Sequence, residues 1–337
     1  MNGNWLVRGR DGLLSVYLPS DGALLCRTEC RPGGPWEAPR QVGGEQKLHP
    51  GPAIGQGPAG PAHLVVWRPT APGESGLVHS THFRPRHSVL DWTPVGHPER
   101  KGDRAGPPAL AVDAEGRAHL FVRNGDGGVS LLAQKEKGGW EPWRDLKGHG
   151  VQGELAAVTG QSGRVELYAA TPDAILHWRQ EEPGTRPVLQ EAAEVPATPG
   201  TLGALATSPR STTLFYTDES GDLCAWRPGT EPVALLACAG PGPVSAIRCE
   251  LDGHDCTLLA QRSAAGRVAF AAYPTEVESA GAWWTESGPS LPAGARVAVA
   301  EDGEGRVVAA SLTEDGELRL ARRKDEPGLA LTAWQTV

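Results

Sequence analysis

The chain passes seven times through one short cycle of apolar strands separated by glycine-centred turns. The clearest copy begins Pro108-Ala-Leu-Ala-Val-Asp-Ala-Glu-Gly-Arg117 and continues through Leu120, Phe121, Val122 and Arg123. It turns at Asp126-Gly127 and ends on a segment carrying Trp140 and Trp143. Alternation such as Leu120 with Val122 suits a half-buried strand. An Asp-Gly pair supplies the positive φ that a tight hairpin needs. Copies start near Trp5, Pro52, Pro108, Leu155, Leu202, Ala246 and Arg296, at spacings of 47, 56, 47, 47, 44 and 50 residues. A period in this range, filled with short strands, is the mark of a propeller.

The expected fold is therefore all-β, a seven-bladed β-propeller of four-stranded antiparallel blades in one domain, 1–337. The blades fall at about 1–50, 51–106, 107–153, 154–200, 201–244, 245–294 and 295–337. The first turn recurs at Gly9-Arg10-Asp11-Gly12, Gly116-Arg117, Gly163-Arg164 and Gly305-Arg306, with a degenerate version at Ser208-Pro209-Arg210. A tryptophan on the outer strand is expected at Trp36, Trp92, Trp140, Trp284 and Trp334, and two units lack it. The longest unit carries an insertion, Thr70 to Gly76, in its second turn and a polar tail, Pro98 to Arg104. This register closes the ring by packing of the last blade on the first; a shift of one strand would instead give a shared blade.

With 44 Gly and 30 Pro spread along the chain, long helices are disfavoured. Net charge is −8 and no dense basic block occurs, so no nucleic-acid partner is expected. No run of about 18 apolar residues is present, so no membrane span is expected. The N-terminus lacks the charged and apolar regions of a secretory signal, and a cytoplasmic location is expected. The six cysteines contain no C-x-x-C pair. Cys249 and Cys256 flank Asp252-Gly253 and face each other across a hairpin; reduced thiols are the simpler expectation, a disulfide the alternative.

The Pro108–Arg117 string, with Leu120 to Arg123, Asp126-Gly127 and Gly139-Trp140-Glu141-Pro142-Trp143, resembles the repeat of PLL-type bacterial propeller lectins and their tectonin-like relatives. That resemblance implies seven blades and a carbohydrate- or ligand-binding habit.

Three functions follow as expectations. The first is a lectin-like binding module for a carbohydrate or small-molecule ligand, since sugars stack on aromatic rings and bond to charged or amide groups. Its candidate residues are Arg123, Gln134, Trp140 and Trp143, and His177, Trp178 and Gln180. The simpler reading makes these tryptophans plugs between blades. The second is a cytosolic biosynthetic enzyme with one site near the axis. The uneven second unit holds half of the ten histidines, and His79, His82 and His87 mark an alternative site. On a strand, His79 and His82 point to opposite faces, which weakens a metal reading, and ordinary exposed histidines are the simpler expectation. The third is a scaffold for a protein partner. No metal or cofactor is expected: no P-loop, no G-x-S-x-G and no EF-hand loop occurs. Glu301 to Gly305 reads as a plain turn, and Glu181-Glu182 as a solvated pair.

Overall fold

The computed structural model describes residues 5–44, 47–57, 60–84, 86–99 and 105–337. Most of the polar tail expected before the third unit lies outside these residues. Seven four-stranded antiparallel sheets form a seven-bladed propeller. The inner strands are Leu6–Arg8, Ala53–Gln56, Ala109–Val112, Gln152–Thr159, Gly203–Ser208, Ser245–Leu251 and Arg296–Glu301. In every blade the strands lie in chain order from axis to rim, and among the described residues no blade borrows a strand from another. The thiols of Cys249 and Cys256 are free, although the two residues are direct partners in their hairpin.

The insertion at residues 70–76 makes no loop. It lengthens a hairpin, Ala62–Ala71 and Glu74–His82, that reverses at Gly73, whose φ is 78°. A polar, β-capable insertion extends the ladder because each added pair satisfies its own backbone.

Each blade buries two apolar faces against its neighbours, so the core is a ring of clusters. The largest joins blade 1 (Leu14, Val16, Tyr17) to blade 7 (Ala298, Val308, Leu320) and to Leu64 and Trp92 of blade 2. Tryptophan stitches the rims. Immediately before the outer strands of blades 2, 3, 6 and 7 stand Trp92, Trp143, Trp284 and Trp334. Trp92 Nε1 donates to Val42 O of blade 1 at 2.9 Å, and Trp284 Nε1 to Ala237 O of blade 5 at 2.7 Å. Trp334 Nε1 reaches Ser287 Oγ of blade 6 at 3.4 Å. Blades 1, 4 and 5 have Pro39, Pro187 and Pro232 at this place. The sequence-expected rim residues Trp36 and Trp140 therefore belong elsewhere: they bridge to Glu29 and Gln134, one step inside the outer strand. In blade 4 the third-strand Trp178 takes over the seam, donating to Leu146 O of blade 3 at 3.0 Å.

Glycine makes room for these rings. A Cβ on Gly43 would lie 2.6 Å from Trp92, and Gly43 has φ +68°. Gly116, with φ +79°, faces open space. Gly116→Ala should thus cost only the left-handed backbone penalty, about 1–2 kcal/mol. Gly43→Ala should add about 1–3 kcal/mol of overpacking. Urea midpoints of the two variants measure the difference; equal losses would show that Trp92 does not set this seam.

Candidate functional site

The first candidate set does not converge. His119 pairs with Ala133 and Arg123 with Val129, so Gln134 and Arg123 lie at opposite ends of blade 3, roughly 15 Å apart at strand rise. Gln134 Oε1 accepts the Ala118 amide at 3.1 Å. Arg123 runs beside Gly106, and its Nε is buried without a hydrogen-bond partner. Trp140 packs edge-on against His79 of blade 2, centroids 5.0 Å apart. Trp143 is half-buried at the same seam.

The second set is buried. His177 and Trp178 are consecutive on a strand and face opposite seams. Trp178, fully buried, points to blade 3. His177 stacks on Tyr168 at 4.6 Å, and both donate to Glu166 Oε2 at 2.8 Å, while Thr212 of blade 5 donates to Oε1 at 2.8 Å. Burial pushes the Glu166 carboxyl up, but these hydrogen bonds, led by His177, outweigh it and hold the group below its ordinary range. Gln180 is fully buried; its Oε1 accepts the Val165 amide at 2.7 Å and its Nε2 donates to Thr185 O at 2.6 Å. It also touches the Asp113–His119 pair of blade 3, itself 2.9 Å apart. Asp113 is held down to about 2: burial raises it, and hydrogen bonds from His119 and the amides of Arg117 and Gly184 reverse the sign. Trp178 and Gln180 are fully buried braces of the seams, while His119 and Glu166 reach the edges of clefts.

The histidine run also divides. His79 faces blade 3 and His82 faces blade 1, where its Nδ1 meets Tyr17 Oη at 2.7 Å. His87 is exposed and gives its carbonyl to His82 Nε2 at 3.1 Å. The expectation of exposed histidines fails for His63, His79 and His82, all buried. His63 and His79 share one hydrogen bond of 3.0 Å between ring nitrogens, so one donates and the other accepts, and both are neutral. Burial lowers His63 to about 4; burial, with His63 alongside, lowers His79 to about 3. Among the described residues no cluster of three metal-ligating side chains occurs.

The open spaces lie elsewhere. An axial cavity of about 1120 Å³ is lined by all seven inner strands. Polar and apolar surface share its walls about equally, with Arg8, Glu154, Arg296 and Glu301 among the charged side chains. Arg296 Nη1 is buried without a hydrogen-bond partner.

Around the rim, clefts open between blades. One of about 760 Å³ between blades 1 and 2 is lined by Arg10, Asp11, Glu37, Phe83, Arg84, Arg86 and His87. Another of about 370 Å³ between blades 3 and 4 includes Gln134, Glu141, Arg144, Thr185 and Arg186. The two are built alike. Glu37 and Glu141 each follow a tryptophan and donate their amides to the third strand, to Thr28 O at 2.8 Å and Ala133 O at 2.9 Å. Arg40 and Arg144 stand three residues on, 3.1 and 3.8 Å from those carboxylates. A loop of the following blade brings a further arginine: Arg86 reaches Glu37 at 2.9 Å, and Arg186 lines the second cleft. Of the sequence-derived candidates, Gln134 and His87 line these clefts. Glu37, Arg40, Glu141 and Arg144 were missed, although a repeated Trp-Glu-x-x-Arg, at 36–40 and 140–144, marks them.

No family model and no curated protein matches the chain. Solved structures do. BP39L lectin from Burkholderia pseudomallei is 14% identical, with TM-score 0.70 over 98% of this chain and 99% of that one. A fucose-specific lectin from Aleuria aurantia is 14% identical, with TM-score 0.52 over 86% and 97%. An ulvan lyase bound to -[GlcA(1-4)Rha3S]- is 11% identical, with TM-score 0.59 over 97% and 95%. The chain thus shares the fold of lectin-type propellers and of a lyase.

The buried histidines tie stability to pH. Unfolded, each takes a proton near 6.5; folded, His63 waits until about 4 and His79 until about 3. Between these values the unfolded chain binds more protons. Stability should therefore fall as pH drops from 6.5 towards 4, by up to about 1.4 kcal/mol per pH unit for each histidine. Urea unfolding from pH 7 to 5 should show a shallower loss in His63→Gln/His79→Gln than in wild type. An unchanged slope would place the acid sensitivity elsewhere.

Proposed function

We propose that this protein is a lectin-like binding module that takes carbohydrate in the clefts between blades 1 and 2 and between blades 3 and 4. The observation that carries this reading is the recurrence of one polar constellation at two non-adjacent seams. A carboxylate and an arginine from the neighbouring loop line both clefts, and an arginine three residues on stands beside each carboxylate, Arg144 in the lining of the second cleft and Arg40 behind the first. These groups are outside the apolar clusters that hold the blades together, so the fold does not require them. A carboxylate accepts from sugar hydroxyls and a guanidinium donates to hydroxyl or ring oxygens. Phe83, 58% exposed, offers its ring to the apolar face of a sugar in the first cleft. Gln134, held by the Ala118 amide through its oxygen, lines the second. Two like sites on one rigid body also gain avidity on a multivalent glycan.

Two proteins that share the fold, BP39L and the Aleuria aurantia protein, are lectins, which supports this reading. Catalysis in the axial cavity is the second reading, favoured by the unpartnered Arg296 Nη1 on its wall.

A glycan array with intact protein tests the first. Glu37→Gln and Glu141→Gln should each weaken binding about tenfold, the value of one charged hydrogen bond, and the double variant should abolish it. Full binding by the double variant would remove both clefts from the function. A blank array, with thermal stabilisation by a metabolite that Arg296→Gln abolishes, would put the axial cavity in their place.

A further inference from the structure

Five of the seven first turns share one device, a glycine amide bonded to the carbonyl three residues before it, while blades 5 and 6 reverse in two-residue hairpins; the turns of blades 7, 3 and 4 differ in their charges. In blade 7 the turn is Asp302-Gly303-Glu304-Gly305-Arg306, closed by Gly305 N to Asp302 O. Asp302 is fully buried and pairs with Arg306 at 3.1 Å and with Arg322 at 2.9 Å. Glu304 also pairs with Arg306, at 2.9 Å, and Arg322 goes on to Glu29 of blade 1. In blade 3 the same turn is Asp113-Ala114-Glu115-Gly116-Arg117, and Glu115 holds Arg117 at 2.6 Å.

In blade 4 the turn is Gly160-Gln161-Ser162-Gly163-Arg164, with the same closing bond from Gly163 N to Gly160 O. The arginine is kept and both carboxylates are gone. The second arginine is kept too: Arg179 pairs with Glu166 in the ladder as Arg322 pairs with Val308, six residues after each turn begins. A third, Arg210, projects from the first turn of blade 5 into the same cleft. Among the described residues none of Arg164, Arg179 and Arg210 has a side-chain hydrogen bond or ion pair. Glu166 lines the cleft, but His177, Tyr168 and Thr212 occupy both its oxygens.

We infer that the cleft between blades 4 and 5 is an anion site, in which Arg164, Arg179 and Arg210, with the Ser162 and Ser211 hydroxyls, take an oxyanion borne by a small ligand. The external anion occupies the role that Asp302 and Glu304 fill in blade 7. The space is about 170 Å³, enough for a sulfate, phosphate or carboxylate group with a few waters and too small for a saccharide chain. Three guanidiniums set against one carboxylate, Glu166, on a chain of net charge −8 are a local positive exception that steers an anion to this cleft. The site stands on different seams from the two carboxylate clefts, and neither reading needs the other.

Calorimetric titration with sodium sulfate, sodium phosphate and sodium acetate, each against sodium chloride at equal ionic strength, tests it. Saturable binding is expected, and the tightest arm separates a tetrahedral dianion from a carboxylate. Arg164→Gln and Arg179→Gln should each weaken it about tenfold. Ser162→Glu leaves all three arginines in place and rebuilds the carboxylate of Glu115 and Glu304; it should abolish anion binding while keeping the wild-type melting temperature in chloride. Sugar binding at the other clefts should persist in Ser162→Glu. No saturable heat from any of the three anions, or undiminished binding in Ser162→Glu, would overturn the proposal.

Discussion

A four-stranded blade has apolar side chains on both faces, and that constraint governs the molecule. One blade cannot bury both faces alone, and an open row of blades always leaves two uncovered. The ring resolves this by giving every blade two neighbours. What varies is the chemistry of the seam. Between blades 1 and 2, 3 and 4, and 5 and 6 a tryptophan donates across the rim to a backbone carbonyl. Between blades 7 and 1 the join also carries ions: Arg322 spans Asp302 and Glu29, and Arg8 donates to Asp302 O at 3.0 Å. Between blades 4 and 5 a buried carboxylate is held by a histidine, a tyrosine and a threonine.

The sequence made the fold readable because each blade is contiguous. Turn glycines and alternating strands sit at fixed offsets, and the fourfold order from axis to rim follows. The tryptophans were harder to place. Trp140 and Trp143 are three residues apart, and only the strand pairing shows that Trp143 occupies the rim position shared with Trp92, whereas Trp140 packs on His79. The candidate ligand residues were drawn from the third and fourth copies of the repeat by side-chain type, and aromatic and amide side chains on strands also answer the demands of packing. Hence Trp178 and Gln180 prove to be braces, fully buried. Glu141 and Arg144, which line a cleft beside Gln134, lie in the third copy and owe nothing to the core.

Function in such a ring is written as departure from the common unit. The turn that serves blades 3 and 7 as a self-neutralised corner becomes in blade 4 an arginine without its acid. The outer segments of blades 1 and 3 keep a glutamate and an arginine that no apolar cluster uses. Neither departure disturbs a strand, so each seam is free to acquire its own chemistry while the ring stays the same.

The largest apolar cluster has a further consequence, in the order of assembly. It joins Trp5, Leu14 and Val16 to Ala310, Leu318 and Leu320, nearly the full length of the chain apart. During synthesis the first blade emerges with one face uncovered, and that face waits for the last blade. Closing so long a loop is entropically slow, and the waiting surface is open to other chains meanwhile. Blade 1 is thus the segment whose apolar face stays uncovered longest.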